Sequence, residues 1–328
     1  MPETPLVSIL IPCHNAGPWI GQSIESALAQ SYSNTEVIVV DDGSTDHSRR
    51  VIESFGDRVT FRSVQHAGGN SARNRLTQLA RGEWLQYLDA DDYLLPGKIA
   101  SQMGAASRHE GKIDVIYSPV IVRDARRQEA ANIARIDDDE DVSETFIRWG
   151  PLNTNGLLFR RQAVLEAGSW KEDQACCQEH ELVLRLLMAG CRFVLHNAAE
   201  TVYRLHGTQT VSRRDPLRVI RVRMELTDRM EAWLESTGRL TARHRRALFV
   251  ARMESARSAY NLDPKFAEKL NEKAKTRGTW WAPSSPALPP GYQIVYRIAG
   301  FRSAERLASW IPFHHRNRGN FVASQSSL

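Results

Sequence analysis

Short apolar runs alternate with amphipathic stretches through the first hundred residues of this 328-residue chain. Val7-Ser8-Ile9-Leu10-Ile11 reads as a strand, and residues 19–30 carry Ile20, Ile24, Ala27 and Leu28 at the spacing of one helix face. Residues 36–40 form a nearly continuous apolar strand, after which Asp46 can cap a helix with Val51, Ile52 and Phe55 on its inner face. A strand over 59–64, a helix over 70–80 and a strand over 83–88 follow. This βαβαβαβ order predicts an α/β fold with a Rossmann-like, mostly parallel sheet between helices, and ligands in such sheets bind beyond the carboxyl ends of the strands.

Polar residues fall at those ends. Strand one runs into Pro12-Cys13-His14-Asn15, strand two into Asp41-Asp42-Gly43-Ser44-Thr45-Asp46, and strand four into Asp89-Ala90-Asp91-Asp92. Three carboxylates within four residues repel one another unless a cation is expected, and hard divalent ions are held by one or two carboxylates plus substrate phosphates. A solvated turn that caps a helix is the alternative. The first turn has no GxGxxG, which disfavours a dinucleotide site.

Past Leu94 the pattern predicts a helix, one strand over 114–122, a solvated acidic loop over 137–141, a strand over 156–159, a helix over 179–189 and a strand over 193–195. Residues from 215 to about 276 read as helical, then as irregular around Trp280-Trp281 and Pro289-Pro290. The charge is lopsided: residues 211–328 hold 22 Lys/Arg against 10 Asp/Glu, or +12, and residues 1–210 hold 21 against 28, or −7. Basic surface of this kind attracts anionic lipid or nucleic acid, although no nucleic-acid recognition motif is visible and no nucleic-acid partner is expected. With no apolar run long enough to cross a bilayer and no signal peptide, cytoplasmic residence is the expectation. The four cysteines show neither a disulfide framework nor zinc spacing.

The segments Val7 to Asn15, Glu36 to Asp46, Ser71-Ala72-Arg73-Asn74, Gly82-Glu83-Trp84 and Leu88 to Asp92, in that order, resemble the motifs of the bacterial family 2 glycosyltransferases. The likeness covers about residues 5 to 210. It implies the GT-A fold, a nucleotide-sugar donor and inversion at the anomeric carbon. It divides the chain into a catalytic region 1–212, with a nucleotide-binding half 1–93 and an acceptor-side half 94–212, and a basic, mostly helical extension 213–328.

Carried onto these positions, the resemblance implies that Asp91 binds Mn²⁺ or Mg²⁺, with Asp92 as a substitute, and that Asp89 faces the ribose or sugar. It puts Asp42 at the base, with Pro12, His14 and Asn15 lining the same edge and Arg73 near a phosphate or the base. Gln178-Glu179-His180-Glu181 aligns with the family's acidic pair, so Glu179 is the expected catalytic base; Gln178 departs from the usual acidic residue, and Glu181 is expected to pair with Arg185. Tyr203-Arg204-Leu205-His206 resembles the closing segment, which implies His206 at the metal or diphosphate and Arg204 offsetting its charge. Trp170 falls where an aromatic residue often meets the acceptor, with a core tryptophan as the alternative.

The function this implies is transfer of a single sugar from a nucleotide donor, UDP-linked by expectation, to a glycan or lipid-linked acceptor in cell-surface polysaccharide or lipopolysaccharide synthesis. The basic tail, with Trp280, Trp281, Tyr292, Tyr296, Phe301 and Trp310, is a candidate for peripheral attachment to an anionic membrane; a packed helical subdomain is the alternative. A sugar nucleotidyltransferase would need a Gly-rich basic loop after strand one, which is absent. A non-catalytic module on a transferase fold is opposed by the intact Asp89-Ala90-Asp91 and Glu179.

Overall fold

The computed structural model describes residues 4–109, 112–124, 130–134, 136, 140–206, 215–275 and 288–310. The chain forms two compact units: among the described residues, one holds residues 4–136 and 151–206, the other residues 140–150 and 215–310.

The first unit is built on a sheet whose inner strands are mostly apolar because both of its faces are covered. Strand β1 (Val7–Cys13) is an inner strand; it pairs in parallel with β2 (Thr35–Asp42) and β4 (Trp84–Tyr87), and β2 pairs in parallel with the edge strand β3 (Thr60–Val64). Beyond β4 come β9 (Leu158–Arg160), antiparallel, then β6 (Val115–Tyr117) and β10 (Phe193–Leu195), completing a seven-stranded, mostly parallel sheet in the order β10-β6-β9-β4-β1-β2-β3. Helix α1 (Gly17–Leu28) starts with Pro18 in its first turn, where a missing N–H costs nothing. It buries Ile20, Ile24 and Ala27 against Ile9, Ile11 and Val39, each large aliphatic side chain contributing about 1.5–3 kcal/mol. Helices α2 (Ser48–Glu53), α3 (Gly69–Leu79), α4 (Lys98–Arg108), α6 (Arg161–Glu166) and α7 (Gln178–Met188) complete its helices among the described residues. This is the GT-A architecture that the motifs imply.

The single strand expected over 114–122 is two. Chain direction breaks at Ser118-Pro119, where proline cannot donate to a ladder, and β7 (Val120–Asp124) joins a second sheet of order β5-β11-β7-β8. In it β5 (Tyr93–Leu94) and β11 (Thr201–Leu205) are strands that periodicity missed, being two and five residues long; β8 is Ala130–Ala134.

The second unit comprises α5 (Val142–Ile147), α8 (Pro216–Ser236), α9 (Ala242–Ala259), α10 (Pro264–Lys275) and α11 (Pro290–Trp310). The end of the acidic run is structured: the Asp141 side chain accepts from Ser143 N and caps α5, and Glu140 pairs with Arg148. Residues 137–139 lie outside the described residues. The irregular reading at Pro289-Pro290 is corrected too, since Pro290 opens α11.

Three of the aromatic residues considered for a membrane surface are used otherwise. Tyr292 and Phe301 are buried in a core with Met224, Met253 and Leu270, and Tyr296 packs against it. Trp280 and Trp281 lie outside the described residues, as does the Trp310 side chain. Part of the basic excess is internal as well: Arg252 is buried against Glu231 and Asp228, and Arg257 against Glu305 and the Tyr292 ring. No helix among the described residues is long and apolar enough to cross a membrane.

Candidate functional site

The parallel strands β1, β2 and β4 end on one edge of the sheet, which brings together the three polar segments the sequence marks. At the end of β4 the turn from Asp89 to Asp92 is held from inside. Asn155, in the 3-10 turn before β9, accepts a hydrogen bond from Asp89 N at 2.8 Å and donates through Nδ2 to Asp92 Oδ2. The other Asp92 oxygen accepts from Arg204 N at 2.7 Å. Asp92 is 0% exposed, with both oxygens engaged; burial first, then the charges of Asp91 and Asp89, push its carboxyl well above the usual range. Its surroundings are those of a buried anchor, not of a stand-in metal ligand.

Asp91 points the other way. Its side chain is 37% exposed and its Oδ2 lies 2.7 Å from His206 Nε2, the His206 ring being stacked on Trp19 at 5.1 Å. A carboxylate oxygen and an imidazole nitrogen this close, here bonded to each other, are a donor pair fit for Mn²⁺ or Mg²⁺, with substrate phosphate to supply the remaining oxygens. Arg204 does not face the opening as expected. It is 6% exposed, donates to the Asp91 carbonyl and to Gln22, and lies over the Trp19 and Tyr93 rings at 5.1 and 4.7 Å. Its guanidinium braces the turn.

Arg73, in the second turn of α3, is bonded to Asp89 Oδ1 at 2.8 Å and to Gln178 Oε1 at 2.9 Å. It thus ties the strand β4 turn to the first residue of α7. Burial raises the Asp89 carboxyl; Arg73 opposes that, and the nearby charges of Asp91 and Glu179 add to it. The neutral amide of Gln178, where the family has an acid, leaves Asp89 as the ionic partner of Arg73. The acceptor role expected of Trp170 meets an obstacle: the residue is 2% exposed, edge-on to Tyr87 at 5.0 Å and covered by Arg73 at 4.9 Å. It is a core residue that floors Arg73, because β-strand and helix α3 close over it.

Glu179 stands in the first turn of α7, after Cys177 in the left-handed region at φ 55°. Burial works to raise its pKa, but the His180 ring nitrogen 3.3 Å from Oε1, the helix-start N–H and the charge of Arg73 outweigh it. The carboxyl is held below its ordinary value, ionised and able to accept a proton. Glu181 is bonded to Arg185 at 2.8 Å, as its spacing predicts.

The ends of β1 and β2 form the third part. Asp42 is buried, its oxygens accepting from Ala67 N at 2.8 Å and Gly68 N at 2.9 Å. Pro12 is in register with Val40, and His14 is exposed with Nδ1 2.8 Å from the Asp42 carbonyl. Asn15, at φ 51°, uses its side-chain oxygen to accept from Thr45 N and Asp46 N, so it shapes the opposing turn. Asp46 accepts from Ser48 N and Gly17 N, at the starts of two helices. Gly43, at φ 69°, sits where a Cβ would lie 2.8 Å from His66 N, which excludes other side chains.

Sequence reasoning missed Asn155, Gln22, Trp19 and His66. The first carried no signal, because a lone Asn in a loop is common. Trp19 was legible only as a helix residue.

Residues 8–164 match the sequence profile described as Glycosyl transferase family 2. The amylovoran biosynthesis glycosyltransferase AmsB of Erwinia amylovora is 28% identical over 199 residues, 57% of this chain and 66% of that one. Alignments with uncharacterised glycosyltransferases of Rickettsia span about a third of those proteins' length. Among solved structures, Staphylococcus aureus TarS 1–349 in complex with UDP-GlcNAc superposes with a TM-score of 0.55 at 14% identity, covering 82% of this chain and 89% of that one. The mannosyltransferase PcManGT of Pyrobaculum calidifontis, in complex with GDP-Man and Mn²⁺, superposes with a TM-score of 0.57 at 16% identity, covering 99% and 85%. At such identities the superpositions carry the fold alone.

Proposed function

Since the chain belongs to glycosyl transferase family 2 through residues 8–164, we propose that it is a metal-dependent inverting glycosyltransferase that moves one sugar from a UDP-sugar to a glycan or lipid-linked glycan. The observation that carries this reading is the pairing of Asp91 with His206 at the same sheet edge as the Arg73–Asp89 ion pair. In this reading residues 1–212 are the catalytic region and the helical unit is an extension. AmsB, named for amylovoran biosynthesis, supports a place in cell-surface polysaccharide assembly, on the cytoplasmic side where nucleotide sugars are made.

Asp91 and His206 would hold Mn²⁺ or Mg²⁺. When bound, the ion neutralises charge that grows on the diphosphate as it leaves. Asp42 accepts a hydrogen bond from the base or ribose, beside His14 and Pro12, and Asp89, fixed by Arg73, orients the ribose or sugar. Glu179 takes the proton of the acceptor hydroxyl as that oxygen attacks the anomeric carbon. The bond from that carbon to the diphosphate breaks, its electron pair leaves with the diphosphate, and configuration inverts. Arg204 and Asn155 act indirectly by keeping the turn that presents Asp91.

Release of nucleoside diphosphate across a panel of UDP- and GDP-sugars, with and without Mn²⁺, tests the proposal. Asp91→Ala is expected to remove metal-stimulated turnover. Glu179→Gln is expected to lower transfer to acceptor by about 10²–10⁴-fold while nucleotide binding persists. Unchanged turnover in both variants refutes it.

A further inference from the structure

Two histidines stand over Asp42 in an arrangement that nucleotide binding does not require. His14 Nδ1 is 2.8 Å from the Asp42 carbonyl oxygen, and His66 Nδ1 is 3.1 Å from that same oxygen and 2.9 Å from Asp42 Oδ2. Their rings are stacked, 4.1 Å between centroids and 24° from parallel. Both residues are exposed, whereas Asp42 is buried. Because a carbonyl oxygen only accepts, both Nδ1 atoms carry the proton, which leaves each Nε2 unprotonated, with a lone pair able to accept a hydrogen bond or bind an ion. The side-chain amide of Asn15, whose Nδ2 lies 3.2 Å from His14 Nε2, fits that tautomer as a donor.

A metal-binding histidine typically has this support: the far nitrogen donates to a carboxylate or backbone carbonyl, which fixes the tautomer and raises the basicity of the ligating nitrogen. One ligand atom from each of His14, Asp42 and His66 can be chosen so that all lie within 4.8 Å of one another. Two nitrogens on a tetrahedral zinc ion, at about 2.0–2.1 Å each, stand roughly 3.3 Å apart. Stacked rings hold their lone pairs side by side, so the two exposed imidazoles turn out of the stack about their side-chain bonds to face one ion. The two oxygens of Asp42 already accept from Ala67 N, Gly68 N and His66, so the carboxylate supports the rings from behind.

We propose that His14 and His66 form a second divalent-cation site, taking the imidazole-binding ions Zn²⁺, Ni²⁺ or Cu²⁺, whose occupation blocks the nucleobase edge at Asp42. The donor set separates it from the first pair. Asp91 offers a hard carboxylate oxygen suited to Mn²⁺ or Mg²⁺, while two imidazoles favour the later transition ions. Only the blocking effect rests on the reading of Asp42 as base acceptor; the ion site stands on the ring geometry. Zinc would then inhibit by occupying the nucleoside pocket, apart from any exchange at Asp91 and His206.

Crystals of the full chain soaked in zinc, without nucleotide, test the site by anomalous scattering at the zinc edge. A peak within bonding distance of both rings is expected. Zinc affinity, measured in solution by chelator competition, should fall at least about tenfold for one class of site in His66→Gln and in His14→Gln, and should persist for that class in Asp91→Asn. Both histidines are exposed, so either variant serves if the other misfolds. Zinc found only at Asp91 and His206 or at cysteines, or binding unchanged in both histidine variants, overturns the site. Equilibrium dialysis with radiolabelled uridine, which has no phosphate to chelate zinc, tests the block. Uridine held by the apoprotein should be displaced by zinc in the native chain and retained in His66→Gln; zinc and uridine bound together overturn the block. Uridine that fails to bind at all refutes the reading of Asp42 and leaves the ion site intact.

Discussion

Replacing Asn155 with alanine is expected to damage the site more than any change at a residue so remote from the sugar would suggest. Its side chain accepts from Asp89 N at 2.8 Å and donates to Asp92 Oδ2, and Asn155 and Asp92 are both fully buried. Truncation strands a backbone N–H and a carboxylate oxygen. Each buried group left without a partner costs about 1–3 kcal/mol, so the pair costs roughly 2–6 kcal/mol. At about 2–4 °C per kcal/mol for a unit of this size, the calorimetric transition of this unit should fall by about 4–24 °C. Turnover measured well below that transition should fall too, because a shift of about 1 Å in Asp91 can cost about 10²-fold. Asn155→Asp sharpens the test. It keeps an acceptor for Asp89 N but sets a second carboxylate against Asp92, whose pKa is already raised by burial. A carboxyl pKa raised in the fold means that stability is fullest when the group is protonated and declines as pH rises through the folded value. The deficit of this variant should therefore be largest at pH 7 and shrink toward pH 4. A transition in Asn155→Ala within about 2 °C of the native value, with turnover unchanged, would sink the argument.

The lowered pKa of Glu179, in which the His180 bond and charge oppose burial, predicts that, with the metal kept saturating at every pH, the loss of transfer due to Glu179 sets in only below the ordinary glutamate value of about 4.3. Removing that bond in His180→Ala should raise the Glu179 pKa and move the acid limb of the pH–rate profile upward; an unmoved limb would show that His180 does not set it. The same sign governs stability: the contribution of Glu179 is present above its unfolded pKa and lost as pH falls through the lower folded one. For Trp170→Ala, burial and the Arg73 contact predict a loss of about 3–5 kcal/mol in urea unfolding and a change in donor turnover. An effect confined to acceptor KM would restore Trp170 to the acceptor site. Among the described residues of α11, the exposed Ile294 and Ile298, not Tyr292 or Phe301, offer an apolar face to a membrane. Ile298→Glu should then lower flotation with anionic vesicles, and equal flotation of variant and native chain would exclude that face.

Periodicity was enough for β1 through β4 and the helices between them, since the inner strands β1, β2 and β4, covered on both faces, are mostly apolar and each helix buries one stripe. Motif order then made the sheet edge and its carboxylates legible. Where contacts come from distant parts of the chain, pattern ran out. The split at Ser118-Pro119 depends on which sheet receives each half, and β5 is a strand only because it pairs with β11, which in turn pairs with β7.

The same limit applies to the site. Local sequence presents Asp91 and Asp92 as equivalent neighbours; they differ because Asn155 and the backbone of Arg204 claim both oxygens of Asp92, while Asp91 is left to meet His206, 115 residues away. Residue type at each strand end was decided by the sequence itself. Which carboxylate faces inward, whether Arg204 and Trp170 are open or buried, and how His14 comes to stand on His66 were decided only by packing, because burial belongs to the assembled neighbours and not to a residue or its spacing.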